Sequence, residues 1–164
     1  MDAAILNYVQ NHFHNRFTDF LFTFLSRMGN AGAVWLGIAV ILGTDRPTRR
    51  FALMLFFSIA LAHVVSQILK PIIGRPRPFV TSPRPLLIHT PGGYSCPSGH
   101  SASSFAAATV LCQANRQLGL AAMLLALSIA FSRVFLFVHY PSDTVFGSIL
   151  GVLSAMLIIY LYKI

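Results

Sequence analysis

The sequence predicts an all-α integral membrane protein, a bundle of about six transmembrane helices with an N-terminal interfacial helix. Hydrophobic residues make up 55% of the 164 residues and charged residues only 10%. The mean hydropathy of +0.69 is far above that of an ordinary soluble domain. No linker or repeat divides the apolar segments, so residues 1–164 are expected to form one domain.

The N-terminal part is the least regular. Asp2 to Arg16 mixes Asn, Gln and His with apolar residues, which is typical of a helix lying in the membrane interface. Thr18 to Met28 is apolar enough for a short crossing, and Asn30 to Gly43 follows as another. Met1 to Gln10 lacks the pattern of a removable signal peptide, so the first membrane helix is expected to direct insertion.

The remaining crossings are predicted from length. Phe51 to Lys70, Leu118 to Val138 and Ser142 to Tyr162 each hold about 20 mainly apolar residues, enough to cross a hydrocarbon core. Ser101 to Gln113 is shorter, but it is apolar and is interpreted as a crossing with polar ends. Six crossings result.

Basic residues predict the orientation. Three arginines lie in the connection 44–50 and Arg116 lies in the connection near Asn115, so the positive-inside tendency places both in the cytoplasm. The Pro- and Gly-rich segment Pro71 to Pro97 then lies on the opposite face. We expect an integral protein of the cytoplasmic membrane with this segment on the extracytoplasmic face.

Charge indicates an anionic ligand. Twelve Lys and Arg residues stand against four acids, which are Asp2, Asp19, Asp45 and Asp143. The interval between Asp45 and Asp143 has no carboxylate, yet it holds the cations Lys70, Arg75, Arg77, Arg84, Arg116 and Arg133. These cations alternate with membrane-length segments, which disfavours nucleic acid as the partner.

The two cysteines do not predict a disulfide. A helix running from Cys96 to Cys112 would separate them by roughly 24 Å at about 1.5 Å per residue. We therefore expect two free thiols.

Three clusters on the outer face carry candidate chemistry. The first is Lys70 with Arg77-Pro78, the second is Pro-Ser-Gly-His at 97–100, and the third is Ser132-Arg133 with His139 and Asp143. Ser98 is a natural N-cap and Gly99 permits close backbone approach, so this helix start suits an anion. A plain capped helix with a surface histidine is the alternative for residues 97–100 taken alone.

The third cluster surrounds the start of the last crossing helix. Pro141 fits the first helical position, which puts Asp143 in the first turn, within reach of His139. A carboxylate there would fix the tautomer of the imidazole and leave its other nitrogen free for nucleophilic attack. The alternatives are an Asp143 that only complements the helix dipole and an Arg133 that extends to the membrane interface.

The three clusters resemble the motifs of the type 2 phosphatidic acid phosphatase (PAP2) family. Those motifs are Lys with Arg-Pro seven residues on, Pro-Ser-Gly-His, and Ser-Arg with five residues to His and three more to Asp. All eleven fixed positions match, and they span Lys70 to Asp143, nearly half the chain. Such agreement is far more specific than one short motif.

The resemblance implies roles for the matching residues. His139 attacks phosphorus, Asp143 orients His139, and His100 protonates the leaving oxygen and later activates water. The phosphate-binding groups would be Lys70, Arg77, Arg133, Ser98 and Gly99. Three cations can stabilise the transferring phosphoryl group without a metal ion.

No cofactor or metal is expected, because a metal-dependent phosphatase needs several carboxylate or histidine ligands and Asp143 is the one acid placed on the outer face. His63 is interpreted as a packed or hydrogen-bonded helix residue. Arg75, Arg84 and His89 stay outside the catalytic set, with a substrate head group as their possible contact. The oligomeric state is left open.

The expected partners are the bilayer and a membrane lipid phosphate. By analogy with short members of the family, undecaprenyl diphosphate is the first choice of substrate. Phosphatidylglycerol phosphate and phosphatidate are the alternatives. A non-catalytic lipid-phosphate binder or transporter would need the cations but not the two histidines and Asp143 in register. Vanadium-dependent haloperoxidases share the phosphate site, but they are soluble, and the hydropathy of this chain disfavours them.

Overall fold

The computed structural model describes residues 1–162, and every regular element within them is helical. The helices are α1 (Asp2–His12), α2 (Arg16–Met28), α3 (Ala33–Gly43), α4 (Arg49–Ile73), α5 (Pro78–Thr81), α6 (Gly99–Ala114), α7 (Arg116–Phe135) and α8 (Pro141–Leu161). A 3₁₀ turn, Asn30–Gly32, joins α2 to α3. The all-α prediction is confirmed.

Three helices have the length and hydropathy of a membrane span, namely α4, α7 and α8. They coincide with the three predicted crossings of about 20 residues. Helices α2 and α3 pass the same test only as a pair, and they are bent by 52° at their junction. Residues 1–162 therefore contain three candidate spans, or four if the bent pair crosses as one.

The bend between α2 and α3 has a local cause. Ala31 and Gly32 have φ values of 50° and 71°, in the left-handed region that ends a right-handed helix. The segments predicted as two separate crossings, 18–28 and 30–43, thus form one broken unit. The prediction of six crossings is not confirmed.

Helix α6 differs from the predicted crossing 101–113. It has 16 residues, so it is about 24 Å long at 1.5 Å per residue, shorter than the ~30 Å hydrocarbon core. Its surface is rich in Ala and Ser, and most of it is buried against α4, α7 and α8. It forms the centre of the bundle, where Ser104 Oγ accepts a hydrogen bond of 2.9 Å from the indole of Trp35.

Helices α6 and α8 approach unusually closely because small residues face each other. A Cβ atom on Gly151 would lie 2.2 Å from the carbonyl oxygen of Ala102, and one on Gly147 would lie 2.4 Å from that of Ser98. Glycines four residues apart are the standard means of bringing two membrane helices together. This seam holds the first turn of α6 against the second and third turns of α8.

Helix α1 packs on the end of the bundle where α7 ends and α8 begins. Leu6 and Val9 are buried, and Gln10 Nε2 donates a hydrogen bond of 2.7 Å to the Phe135 carbonyl. Residues 2–12 are helical, and the assignment of an N-terminal interfacial helix stays a prediction. Cys96 and Cys112 are free thiols, as expected.

Candidate active site

The three sequence clusters meet at one end of the bundle, where α4 and α7 end and α6 and α8 begin. A cavity of about 390 Å³ opens between them. Six of the eight predicted site residues line this cavity: Lys70, Arg77, Gly99, His100, Arg133 and His139. Asp143 and Ser98 are buried and do not line the cavity.

His139 lies in the connection between α7 and α8 and is almost fully buried. Its Nε2 lies 3.3 Å from Nη1 of Arg77, on the cavity side. Burial lowers the pKa of His139 to about 3, the nearby cations act in the same direction, and Asp143 opposes them. The imidazole is therefore neutral near pH 7 and retains a lone pair on one nitrogen.

The start of α8 presents Asp143 as predicted. Pro141 is the first helical residue and Asp143 stands in the first turn. Its Oδ2 accepts a hydrogen bond of 2.9 Å from the Tyr140 backbone N–H, which satisfies one of the free amides at the helix start.

The expected hydrogen bond between His139 and Asp143 is not formed in this structure. Nδ1 of His139 lies 3.7 Å from Oδ2 of Asp143 and has no hydrogen-bond partner. The same Oδ2 already accepts from Tyr140 and from the Ser95 hydroxyl. The two side chains are adjacent, and a movement of somewhat under 1 Å would join them.

Arg77 is held rigidly by backbone carbonyls. Its Nε and Nη2 donate to Gly93 and Gly92 at 2.9 Å each, and Nη1 donates to Val138 at 3.1 Å. Gly93 has a φ of 71°, a conformation that favours glycine, so the loop before α6 can wrap around the guanidinium. Arg77 is thereby directed towards His139.

Arg133 is buried in the last turn of α7, so the alternative in which it extends to the membrane interface is wrong. One of its terminal nitrogens donates to the Ser26 hydroxyl, and its Nε has no partner. Lys70 donates to the Tyr94 carbonyl at 3.1 Å. Within residues 1–162, no carboxylate lies at salt-bridge distance from Lys70, Arg77 or Arg133.

The Pro-Ser-Gly-His cluster divides its tasks. Ser98 is the N-cap of α6, and its hydroxyl accepts from the Ser101 amide and from the Ser101 hydroxyl at 3.4 and 3.0 Å. Its own amide donates to the Asp143 carbonyl at 3.0 Å. Ser98 therefore uses both groups inside the protein, whereas Gly99 lines the cavity at the helix N-terminus, where amides lack intrahelical partners.

His100 faces the break between α2 and α3. Its Nε2 lies 2.9 Å from Oδ1 of Asn30, and because an amide oxygen only accepts, Nε2 carries the hydrogen in this pair. A Cβ atom on Gly29 would lie 2.9 Å from Cδ2 of His100. Asn30 was missed by the sequence analysis, because nothing in a short polar boundary indicates contact with a residue 70 positions away.

Arg75 is the second missed residue. It does not line the cavity, so the head-group contact considered for it is not supported. Its Nη1 donates to Asp143 Oδ1 at 2.6 Å and its Nη2 donates to Asp2 at 2.7 Å, while the guanidinium lies over the Tyr140 ring. Hydrogen bonds from Ser142 and Arg75 lower the pKa of Asp2 against the opposing influence of burial. The sequence has only four acids, so a cation near the motifs has few possible carboxylate partners. This scarcity could have indicated that Arg75 pairs with Asp2 or Asp143.

The other residues set aside in the sequence have distinct positions. His63 is exposed and lines the cavity, and its Nε2 lies 3.4 Å from Nε2 of Gln67. Of its interpretation as a packed or hydrogen-bonded residue, only the packed alternative is wrong. His89 lines a neighbouring cavity of about 280 Å³ that shares His100 and Arg133. Arg84 lies over the Phe137 ring.

No three His, Cys, Asp or Glu side chains come together as a metal-binding group within residues 1–162. Independence from metal ions stays a prediction about the reaction.

Comparison with known proteins gives a family and a fold. Residues 51–164 match the model of the PAP2 superfamily. An undecaprenyl-diphosphatase of Sulfolobus acidocaldarius is 32% identical, over 80% of this chain and 64% of that protein, so the chain spans just under two thirds of this relative. A decaprenylphosphoryl-5-phosphoribose phosphatase of Mycolicibacterium smegmatis is 35% identical over 75% and 67%.

The fold has a close counterpart among solved structures. The crystal structure of Aquifex aeolicus LpxE superimposes with a TM-score of 0.85 at 25% identity, covering 97% of this chain and 94% of the other. The match of the family model to most of the chain, the two relatives and this superposition agree with the three clusters around the cavity. This chain belongs to the PAP2 superfamily.

Proposed function

We propose that the protein is a membrane lipid phosphatase that hydrolyses a terminal phosphate through a phosphohistidine on His139. The observation that carries this proposal is the position of a neutral, buried His139 in one cavity with three cations that have no carboxylate partner. A phosphoryl group supplies the negative charge that these cations require, and its transfer needs mainly alignment and charge stabilisation.

In the first step, Nε2 of His139 attacks phosphorus and forms an N–P bond. The bond from phosphorus to the leaving oxygen breaks, and His100 supplies the proton that this oxygen needs. Asp143 accepts the Nδ1–H of the imidazolium as the positive charge develops, which requires the 3.7 Å gap to close. Lys70, Arg77 and Arg133 neutralise the equatorial oxygens.

In the second step, water attacks the phosphohistidine. His100, now deprotonated, takes a proton from the water, the N–P bond breaks, and inorganic phosphate leaves with His139 restored. Gly99 contributes its backbone amide to the phosphate, whereas Ser98 contributes indirectly by capping α6 and fixing its first turn.

The preferred substrate is a polyprenyl diphosphate such as undecaprenyl diphosphate. The Sulfolobus relative bears that activity in its name, and the cavity continues from the cations towards the apolar side chains of Leu36, Phe56 and Ile59. Phosphatidylglycerol phosphate and phosphatidate are the alternatives, since the phosphate site by itself does not read the lipid chain.

A non-catalytic binder or transporter of lipid phosphates is the competing class. The buried His139 beside Asp143 argues against it, because binding alone gains nothing from a desolvated imidazole with an orphan Nδ1.

The decisive experiment is phosphate release by the purified protein in detergent from a panel containing undecaprenyl diphosphate, phosphatidylglycerol phosphate and phosphatidate. We expect release in excess chelator and inhibition by vanadate, which adopts the geometry of the transferring group. Loss of activity in chelator with rescue by Mg²⁺ would contradict the metal-independent mechanism, and the absence of release from every lipid would favour the binder.

The proposed location is the cytoplasmic membrane, with the site facing outward. In a variant lacking Cys96 and Cys112, a cysteine at Ser82 should react with an impermeant thiol reagent added to intact cells. A cysteine at Thr48 serves as the matched internal position and should not react. The reverse pattern would place the active site in the cytoplasm.

A further inference from the structure

One wall of the cavity carries polar side chains that the phosphoryl-transfer mechanism does not use. His63, Ser66, Gln67 and Lys70 all line the cavity. Ser66 and Gln67 are adjacent on α4, and each lies three or four residues from both His63 and Lys70, so the four side chains border the same side of the helix. Lys70 belongs to the phosphate site. The other three, here called the α4 polar strip, have no role in the mechanism above.

Ser66 is the best-defined member of the strip. Its side chain is 1% exposed and its hydroxyl has no hydrogen-bond partner. Ser128 and Ser148 in other spans donate to the carbonyl four residues back. Ser58, also on α4, is buried and unpaired as well, but it does not line the cavity, whereas Ser66 does. A buried unpaired hydroxyl costs free energy, so its retention in a cavity wall points to a ligand that pairs with it.

Gln67 and His63 extend the strip away from the cations. Both are exposed, and their Nε2 atoms lie 3.4 Å apart, too far for a strong hydrogen bond. Polar side chains on the exposed face of a membrane helix are costly and normally mark a functional site. The amide and imidazole N–H groups are therefore available to a ligand.

The order of side chains along α4 locates the ligand group that meets the strip. Phe56, Ile59 and Ala60 form the apolar end of the cavity, and Lys70 lies at the cationic end. The strip lies between them, with Ser66 and Gln67 about one helical turn, 5.4 Å, from Lys70 and His63 about two turns away. A lipid whose terminal phosphate reaches the cations and whose chain follows the apolar end must place its linking group beside the strip.

Ser66 also lies next to the leaving-group side of the reaction. Its Oγ is 3.8 Å from the position a Cβ on Gly99 would occupy, at the first turn of α6 that carries His100. His100 is the proposed donor to the leaving oxygen, so the group bonded to that oxygen lies near Ser66.

We propose that the α4 polar strip binds the second, lipid-attached phosphate of a diphosphate lipid and makes the site selective for lipid diphosphates over monophosphates. This inference rests on the proposed phosphatase function. Hydroxyl, amide and imidazole donors match an oxyanion that offers only acceptors, and Lys70 one turn away adds charge.

The test compares a prenyl diphosphate and a prenyl monophosphate of the same chain length with the purified full-length protein. Ser66→Ala and Gln67→Leu should each lower the diphosphate-to-monophosphate ratio of kcat/KM by about tenfold or more, the effect of one hydrogen bond to a charged group. Ser66→Ala removes a single oxygen and should leave folding intact. Ile68→Ala, on the same helix but outside the cavity lining, is the matched control.

An unchanged ratio in both variants, or an equal loss with both substrates, would overturn the assignment of the strip while the proposed phosphatase function stands. A selective loss with a lipid phosphoribose substrate, at an unchanged diphosphate ratio, would assign the strip to a sugar and overturn it as well. If the unaltered protein releases phosphate from neither prenyl lipid but does so from phosphatidylglycerol phosphate or phosphatidate, the strip assignment fails while the phosphatase function stands. Release from no lipid would overturn both.

Discussion

The two histidines of the site lie on differently built walls of one cavity. His139 is buried between two long spans, beside Arg77, whose guanidinium three backbone carbonyls hold in place, and beside Asp143, which accepts hydrogen bonds from several donors. His100 stands in the first turn of a short helix, against a bent junction and a single asparagine. A nucleophile gains from a fixed position, whereas a group that serves both the leaving oxygen and water must meet two different partners.

The largest expected effect comes from the His139 wall. His139→Ala removes the nucleophile, so turnover should fall by at least about 10⁴-fold and no phosphoenzyme should form with labelled substrate. His12→Ala, at a histidine on α1 that does not line the cavity, is the control. Substantial turnover in His139→Ala, or a phosphoenzyme on another residue, would mean that the nucleophile is misassigned.

The His100 wall should give a penalty that depends on the leaving group. His100→Ala should slow turnover by about 10² to 10⁴. A lipid diphosphate departs as a phosphate monoester that needs little protonation, so His139 should still be phosphorylated and an acid-labile phosphohistidine should accumulate. A lipid monophosphate departs as a basic alkoxide, so no intermediate should build up. If His100→Ala slowed turnover equally with the diphosphate and the monophosphate, the proposed difference between the roles of His100 and His139 would be wrong.

Arg75 tests how far the rigidity of the His139 wall matters. It contacts Asp143 but does not line the cavity, so it is a positioning residue. Arg75→Gln should lower kcat by about tenfold to a hundredfold with KM nearly unchanged, and Arg75→Lys should recover part of the loss. Arg84→Gln is the matched surface control. A rise in KM at constant kcat would show instead that Arg75 binds substrate.

The smallest effect is expected at Asn30, on the His100 wall. Asn30→Ala removes one hydrogen bond of 2.9 Å, so kcat should fall by about tenfold or less. Asn7→Ala, an exposed asparagine on α1, provides the comparison. A loss as large as that of His100→Ala would mean that His100 needs a position as fixed as that of His139.

The sequence predicted the surroundings of His139 better than those of His100. The three long spans follow from uninterrupted apolar length, and the start of α8 follows from Pro141 with Asp143 two residues later. The junction after α2 depends on the left-handed backbone of Ala31. Alanine rarely adopts this conformation, so the sequence does not predict the break. Helix α6 is buried because its small Ala and Ser side chains let neighbouring helices pack closely against it. Segment length and hydropathy do not predict such packing.

The motif pattern correctly predicted that these residues meet at one cavity. The individual contacts of each side chain, however, depend on tertiary packing. Ser98 carries a suitable hydroxyl, yet the helix cap uses it first. Arg75 and Arg77 belong to the same Arg-Pro-Arg-Pro segment, but their side chains leave the backbone in different directions. Arg75 contacts Asp143, whereas Arg77 contacts His139 at the cavity. Asn30 and Ser66 carry no local signal at all.

The glycine seam between α6 and α8 bears on how the protein is made. Helix α6 is short and rich in serine, so the translocon has little reason to release it alone into lipid. Its partner face, with Gly147 and Gly151, is synthesised some 40 residues later. Nascent α6 must therefore wait in a protected setting until α8 emerges. A chain arrested before α8 would expose that helix to membrane quality-control proteases, so biogenesis is most vulnerable at the step that completes the active site.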